Sequence, residues 1–180
     1  MRRSKRVFDV IGALGGLCFF GPLMVCVGAA ILLDDGSPLL YRQVRLGRGR
    51  RAFEIVKFRT MRGGRVTRVG GALRATGLDE LPQFVNILRG ELSAVGPRPV
   101  TEEDARRFGW IGCRAEHRWA VTPGLTGLAQ LAARCPREAL ALDRCYARRQ
   151  RLALDCRIVA MSFVVNLVGK SRARRLLFGR

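Results

Sequence analysis

Residues 10–33 run for 24 positions without a charge, and no other feature of the sequence restricts its fold as strongly. A bilayer-crossing helix needs roughly 20 apolar residues, so the run is long enough to enter a membrane. Arg2, Arg3, Lys5 and Arg6 precede it, and Asp34 and Asp35 follow. A cleaved signal peptide has a shorter apolar core, a small-residue cleavage site and an exported domain behind it. The strongly basic chain that follows here does not suit export, so the run reads as a retained membrane element. The rest of the 180 residues suffices for one domain with a real core, and no Ser-, Pro- or Gly-rich linker divides it.

Pro22 stands near the middle of the run, directly after Gly21. An interior proline removes a helix hydrogen bond and clashes with the preceding turn, so a kink or break is expected there. Each arm is then about 11 residues, or ~17 Å, about half of the ~30 Å hydrocarbon thickness. Arg42, Arg45, Arg48, Arg50 and Arg51 follow the segment as densely as the basic cluster precedes it, and positive charge prefers the cytoplasmic side. Both flanks then want the same side. The expectation is a re-entrant helical hairpin broken at Gly21 and Pro22, with an ordinary kinked transmembrane helix as the alternative.

The formal net charge of +19, from 33 Lys and Arg against 14 Asp and Glu, points to anionic partners: lipid headgroups, phosphorylated substrates or nucleic acid. Charge alone does not choose among them. The aromatics, two Trp, two Tyr and nine Phe, form no basic-aromatic repeat of the kind that stacks bases, so no nucleic acid partner is expected. A non-enzymatic, membrane-anchored basic protein remains the competing class. The six cysteines include no C-x-x-C pair and read as small reduced core residues on the cytosolic side. His117, the single histidine, shows no nucleophile-histidine-carboxylate pattern around it and reads as structural.

Beyond the turn Asp34-Asp35-Gly36-Ser37-Pro38, residues 39–41 and 52–59 are rich in β-formers and predict a hairpin carrying Tyr41 and Phe58. Thr76-x-x-Asp79 has the form of a capping box, and Leu78, Leu81, Val85 and Leu88 follow at helical spacing. A helix is expected from near Leu78 to Gly90, with Pro82 tolerated in its first turn. Asp79 and Glu80 would sit at its positive end, where acidic residues stabilise a helix by a few tenths to about 1 kcal/mol without any catalytic role. What favours chemistry is the company of Lys57, Arg59, Arg74 and Arg98, cations on short elements that can converge on one anionic ligand. Two prolines hold Arg98 on a stiff loop, Pro97-Arg98-Pro99, and Thr122-Pro123-Gly124-Leu125-Thr126-Gly127 is a second constrained turn. Residues 158–169 are apolar but too short to span, so they lie on the membrane or in the core. The tail, 170–180, mixes Arg with Leu and Phe, which suits either an anionic bilayer surface or a solvated end.

In this order the pieces resemble the monotopic bacterial sugar transferases, the polyprenyl-phosphate phosphoglycosyl transferases that begin surface glycan assembly. Six motifs carry the likeness across nearly the whole chain: Lys5-Arg6-x-x-Asp9, Gly36-Ser37-Pro38 to Gln43, Lys57-Phe58-Arg59-Thr60-Met61, Leu78-Asp79-Glu80-Leu81-Pro82-Gln83, Val95-Gly96-Pro97-Arg98-Pro99 and Thr122-Pro123-Gly124-Leu125-Thr126-Gly127. The resemblance implies that Asp79 attacks the sugar-bearing phosphate of a UDP-sugar, releases UMP and holds the phosphosugar until polyprenyl phosphate takes it. It implies Mg²⁺ placed against Asp79 and Glu80, with Glu80 positioning the metal or assisting with protons. Arg74 and Arg98 become phosphate-binding residues, and Lys57 and Arg59 further members of the basic site. Location at the cytosolic face of a bacterial inner membrane, and downstream glycosyltransferases as partners, come with it. Three departures stand out: Gly21-Pro22 where relatives carry Ser-Pro, a short 62–67 segment, and a start at the basic cluster that resembles the minimal form of the family. The expected fold is a helix-rich mixed α/β domain with a short β-hairpin and surface-lying amphipathic helices. It divides as 1–35 membrane hairpin, 36–169 catalytic domain and 170–180 basic tail.

Overall fold

The computed structural model describes residues 3–168, and the expectation for the basic tail lies outside them. The apolar run forms α1, Arg3–Asp35, a single helix of 33 residues with Pro22 inside it. The two arms expected from Gly21 and Pro22 are therefore one continuous element. A proline deletes one hydrogen bond of the ladder, and the packing on both sides of it supplies what the helix loses. Phe20 stacks on Phe84 at 6.4 Å between ring centroids, while Met24, Val27 and Ile31 join Phe58 and Leu73 in one apolar cluster.

Lys5 and Arg6 stand in the first turn of α1, where the helix dipole disfavours cations. Each is held by acceptors from distant elements, and neither is a free flanking charge. Lys5 is buried, with Nζ 2.9 Å from Asp155 Oδ2 and 3.9 Å from Asp9 Oδ1. Arg6 donates to the carbonyls of Ile87 and Leu88 at 2.5 and 2.6 Å. Asp9 in turn accepts from Ser93 Oγ and Ala94 N, both at 3.0 Å. At the other end, Asp34 Oδ2 accepts from Val69 N at 3.1 Å and Asp35 pairs with Arg59 at 2.8 Å. One face of α1 is thus attached to the domain at both ends, while Val7, Ile11, Leu14, Phe19, Val25 and Leu33 remain exposed on the rest of it. The expected core role of the cysteines fails here, because Cys18 and Cys26 lie on exposed α1 positions and Cys135 and Cys156 are exposed as well.

The predicted hairpin is present. Strands β1, Leu40–Leu46, and β2, Ala52–Phe58, pair antiparallel with Tyr41 opposite Lys57 and Leu40 opposite Phe58. A tiny second hairpin, β3 (Met61–Arg62) and β4 (Arg65–Val66), fills the short segment noted in the sequence, turning through Gly63 and Gly64 at positive φ. Next come α2, Arg68–Thr76, capped by Thr67, and α3, Gln83–Arg89, ended by Gly90 in the left-handed region. Strand β5, Ser93–Val95, is followed by the short helices α4, Glu102–Arg107, and α5, Glu116–Trp119. Strand β6, Gly124–Thr126, runs parallel to β5. At this crossing a Cβ on Gly96, Gly124 or Gly127 would overlap the opposite backbone, so only glycine fits.

The chain closes with α6, Leu128–Ala132, α7, Pro136–Arg149, and α8, Leu152–Val168. Ile158 and Val165 of α8 pack with Val95, Leu131 and Tyr146, whereas Phe163 and Val164 are exposed. The 158–169 run is thus half core and half surface within the described residues. Tyr146 joins the buried polar group, its hydroxyl 2.8 Å from Asp155 Oδ1 and 2.9 Å from Val95 O.

Lys5→Met leaves the buried Asp155 carboxylate without its counter-ion, and breaking such a pair costs about 3–5 kcal/mol. The thermal midpoint of the detergent-solubilised protein is expected to fall well below that of the parent, whereas exposed Arg3→Met stays within about 0.5 kcal/mol of it.

Candidate active site

The two carboxylates are positioned by the leucines around them. Gly77, at φ 74°, ends α2 in a conformation that suits glycine and opens a single 3-10 turn, Leu78–Glu80. In 3-10 geometry residues three apart lie above one another. Leu78 and Leu81 accordingly share one side and pack into the cluster of Val27, Ile31, Phe58 and Leu73, which leaves Asp79 and Glu80 on the other. Pro82 then caps α3. This differs from the helix expected from near Leu78. Thr76 is the last residue of α2, and its hydroxyl donates to the carbonyls of Ala72 and Leu73, so it caps nothing downstream. The strong C-terminal signal of Gly77 overrides the capping-box pattern.

Strand β2 brings Lys57 to this turn, with Nζ 2.5 Å from Glu80 Oε1. Buried Asn86 of α3 fixes the distance between strand and turn. Its Oδ1 accepts from Val56 N at 3.1 Å, and its Nδ2 donates to Glu54 O and to Glu91 Oε2, both at 2.7 Å. Arg98 approaches from the Pro97-Arg98-Pro99 loop, its guanidinium 4.0 Å from Glu80 Oε1 and 57% exposed. Arg74, near the end of α2, donates through Nε to Thr60 Oγ1 at 3.0 Å. Burial pushes the Asp79 carboxyl above its ordinary range and the neighbouring Glu80 pushes it the same way, while Lys57, a backbone hydrogen bond and Arg74 oppose them. Asp79 therefore lies within the electrostatic reach of both cations.

Arg59 is the predicted site residue that the structure does not bring to the carboxylates. It is buried against the end of α1, bonded to Asp35 and to the carbonyls of Asp35 and Gly36. Arg45 is the side chain that sequence reasoning used only as a flanking charge. It lies 3.9 Å from Asp104 and 2.5 Å from Gln43 Oε1, with a buried Nε that has no partner. Burial, and then the charge of Arg98, lower its pKa, while Asp104, then Tyr41 and Glu80, act in the opposite sense. The available signal was the period of two along β1, which puts Tyr41, Gln43 and Arg45 on the strand face that carries Lys57 across the hairpin.

Among the described residues no group of three or more His, Cys, Asp or Glu side chains stands ready for a metal. Two adjacent carboxylates suit instead a Mg²⁺ that takes its remaining ligands from phosphate oxygens and water. Burial is the main cause of the raised Asp79 pKa and the Glu80 charge adds to it; a dication would relieve that like-charge part. His117 is exposed on α5. A cavity of about 410 Å³ lies beside the carboxyl end of α1, lined by Asp34, Asp35, Arg62, Arg65, Thr67 and Arg68 among others.

The family model described as bacterial sugar transferase matches residues 1–169. The chain belongs to the bacterial sugar transferase family. Membership places it among sugar-phosphate transferases. It is 40% identical to the UDP-glucose:undecaprenyl-phosphate glucose-1-phosphate transferase of Caulobacter vibrioides, over 86% of this chain and 66% of that protein. It is 33% identical to the exopolysaccharide production protein PSS of Rhizobium leguminosarum, over 91% of this chain and 94% of that one. A UDP-N-acetylgalactosamine-undecaprenyl-phosphate N-acetylgalactosaminephosphotransferase of Aeromonas hydrophila is 37% identical over 71% of this chain, which spans only 33% of it.

In this sugar transferase the site depends on Asn86 holding α3 against β2. Asn86→Ala strands the Val56 N–H and the Glu54 carbonyl without their partner, at about 1–3 kcal/mol for an unsatisfied buried group. Thermal unfolding is expected to record a loss of that size.

Proposed function

We propose that the protein moves a phosphosugar from a UDP-sugar to polyprenyl phosphate through a covalent intermediate on Asp79. The observation that carries this reading is the outward-facing Asp79-Glu80 turn with Lys57 at 2.5 Å and Arg98 at 4.0 Å from Glu80. Paired carboxylates alone would repel a diphosphate; carboxylates set among cations can receive one. The relatives named above, which act on UDP-glucose or UDP-N-acetylgalactosamine and undecaprenyl phosphate, support the substrate classes.

In the first step an Asp79 carboxylate oxygen attacks the sugar-bearing phosphorus, and the bond from that phosphorus to the bridging oxygen breaks, so UMP leaves with that oxygen. In the second, a phosphate oxygen of the polyprenyl acceptor attacks the same phosphorus and Asp79 departs as carboxylate. Arg98 and Arg74 bind diphosphate oxygens, and Lys57 holds Glu80 in place beside the nucleophile. Mg²⁺ would be held by Asp79, Glu80 and the substrate, and when bound it neutralises charge on the phosphoryl oxygens.

Topology follows the same reading. Lys5 at one end of α1 and Asp35 at the other are both bonded to the catalytic domain, which favours a helix that enters and leaves the membrane on one face. The site then lies at headgroup level on the cytosolic side of a bacterial inner membrane, where a lipid phosphate and a soluble nucleotide-sugar both arrive. Products pass to downstream glycosyltransferases. The competing reading of a basic binding protein rested on net charge, and Lys5, Arg6, Arg59 and Arg118 are internal partners in the fold.

The test is UMP release by the membrane-reconstituted protein given Mg²⁺, polyprenyl phosphate and a panel of UDP-sugars. Release with a donor is expected, falling to background in Asp79→Asn, and a phosphosugar-sized mass increase on the protein is expected when the acceptor is withheld. Silence with every donor would overturn the reading. Separately, a reporter fused ahead of α1 should be found inside the cell, and its detection outside would sink the one-face topology.

A further inference from the structure

Arg118 is buried, 3% exposed, and its guanidinium lies 4.3 Å from the ring centroid of Trp110 and 5.5 Å from that of Trp119. The Trp119 indole is itself held, its Nε1 donating to the backbone carbonyl of Trp110 at 2.8 Å, so one wall of the slot is tied to the chain that carries the other. Arg118 uses its two terminal nitrogens differently: Nη1 bonds the buried Asp143 of α7, and Nη2 donates to the backbone carbonyl of Arg98. An ion pair that only glued α5 to α7 would end at Asp143. This one continues to the residue whose side chain faces Glu80.

The Arg98 loop is clamped on its inner side. Pro97 O accepts from Gly124 N at 2.9 Å, Arg98 O accepts from Arg118, and Val100 O accepts from Leu46 N at 2.8 Å. Pro97 and Pro99 lack N–H groups, so carbonyls are what these two residues offer the rest of the chain. With the carbonyls of Pro97, Arg98 and Val100 bonded inward, the Arg98 side chain is left to project outward. Of the three clamps only Arg118 is a side chain, and it alone binds the carbonyl of the functional residue itself.

We propose that Arg118, held by Asp143, is a positioning residue that sets the Arg98 guanidinium for the donor diphosphate. The inference rests on the reading of Arg98 as a phosphate-binding residue. It predicts that Arg118 affects the reaction only through Arg98.

The test compares four proteins in the UMP-release assay: the parent, Arg98→Ala, the paired variant Arg118→Met/Asp143→Leu, and the combination of all three changes. Arg118→Met alone leaves Asp143 buried and unpaired, whereas replacing both partners of a buried ion pair with apolar residues is often neutral for folding. The paired variant is therefore expected to keep the parental melting midpoint. Its KM for the UDP-sugar is expected to rise about tenfold, equivalent to about 1.4 kcal/mol, with kcat within about twofold by the logic of lost uniform binding. Added to Arg98→Ala, the pair should cause no further change. Equal KM in parent and paired variant, or effects that multiply in the combined variant, would overturn the proposal. A paired variant that matters while Arg98→Ala does not would instead overturn the reading of Arg98. The shift in melting midpoint caused by UDP gives the same comparison without turnover: it should shrink equally in Arg98→Ala, the paired variant and their combination.

Discussion

A lysine in the first turn of a helix opposes the helix dipole, and a carboxylate in a protein core opposes its own desolvation. Here each answers the other. Lys5 and Asp155 meet 150 positions apart in the chain at 2.9 Å, with Asp9 and the Tyr146 hydroxyl completing the group. Neither charge is tolerable where it stands without its partner. The pair therefore specifies one arrangement of the first and last described helices, and β5, bonded to Asp9 and Tyr146, is fixed between them. From β5 the chain proceeds directly into the Arg98 loop, so the register of one arm of the site is set by this distant contact.

The other arm is set by apolar packing. The cluster that receives Val27 and Ile31 of α1 also receives Phe58, the residue after Lys57, and Leu78 and Leu81, which bracket the carboxylates. Lys57 and Glu80 are thus presented by residues anchored in the same few side chains, which is how a short ion pair forms between elements 23 positions apart. Asn86 supplies the polar counterpart of that packing. A site assembled from a strand, a 3-10 turn and a proline loop gains its rigidity from what lies beneath it.

How much of this was legible depends on the range of each interaction. The β-hairpin was readable because strand propensity and turn glycines act locally, and the Leu-Asp-Glu-Leu spacing already separates buried from presented side chains. Arg98 was readable because prolines on both sides announce a stiff loop. The partners of Lys5, Arg6, Arg59 and Arg118 were not, since a cation carries no mark of which acceptor it will meet far along the chain. Arg59 sits two residues from Lys57 and looks equivalent to it, yet Asp35 claims one and Glu80 the other. Thr76 misled for a different reason: two local signals overlapped, and a left-handed glycine decided which helix the threonine belonged to.

The apolar helix α1 belongs to the core as much as to the surface. Ala13 packs with Ile55, Ile87 and Leu92, and Val27 and Ile31 pack with Phe58 and Leu73, so α1 is one wall of the folded core. Many membrane-attached enzymes can be cut from their anchors and studied as soluble fragments. Removing α1 here would lay open two apolar clusters and leave Asp155 without its lysine, so α1 and the domain packed against it form a single folding unit.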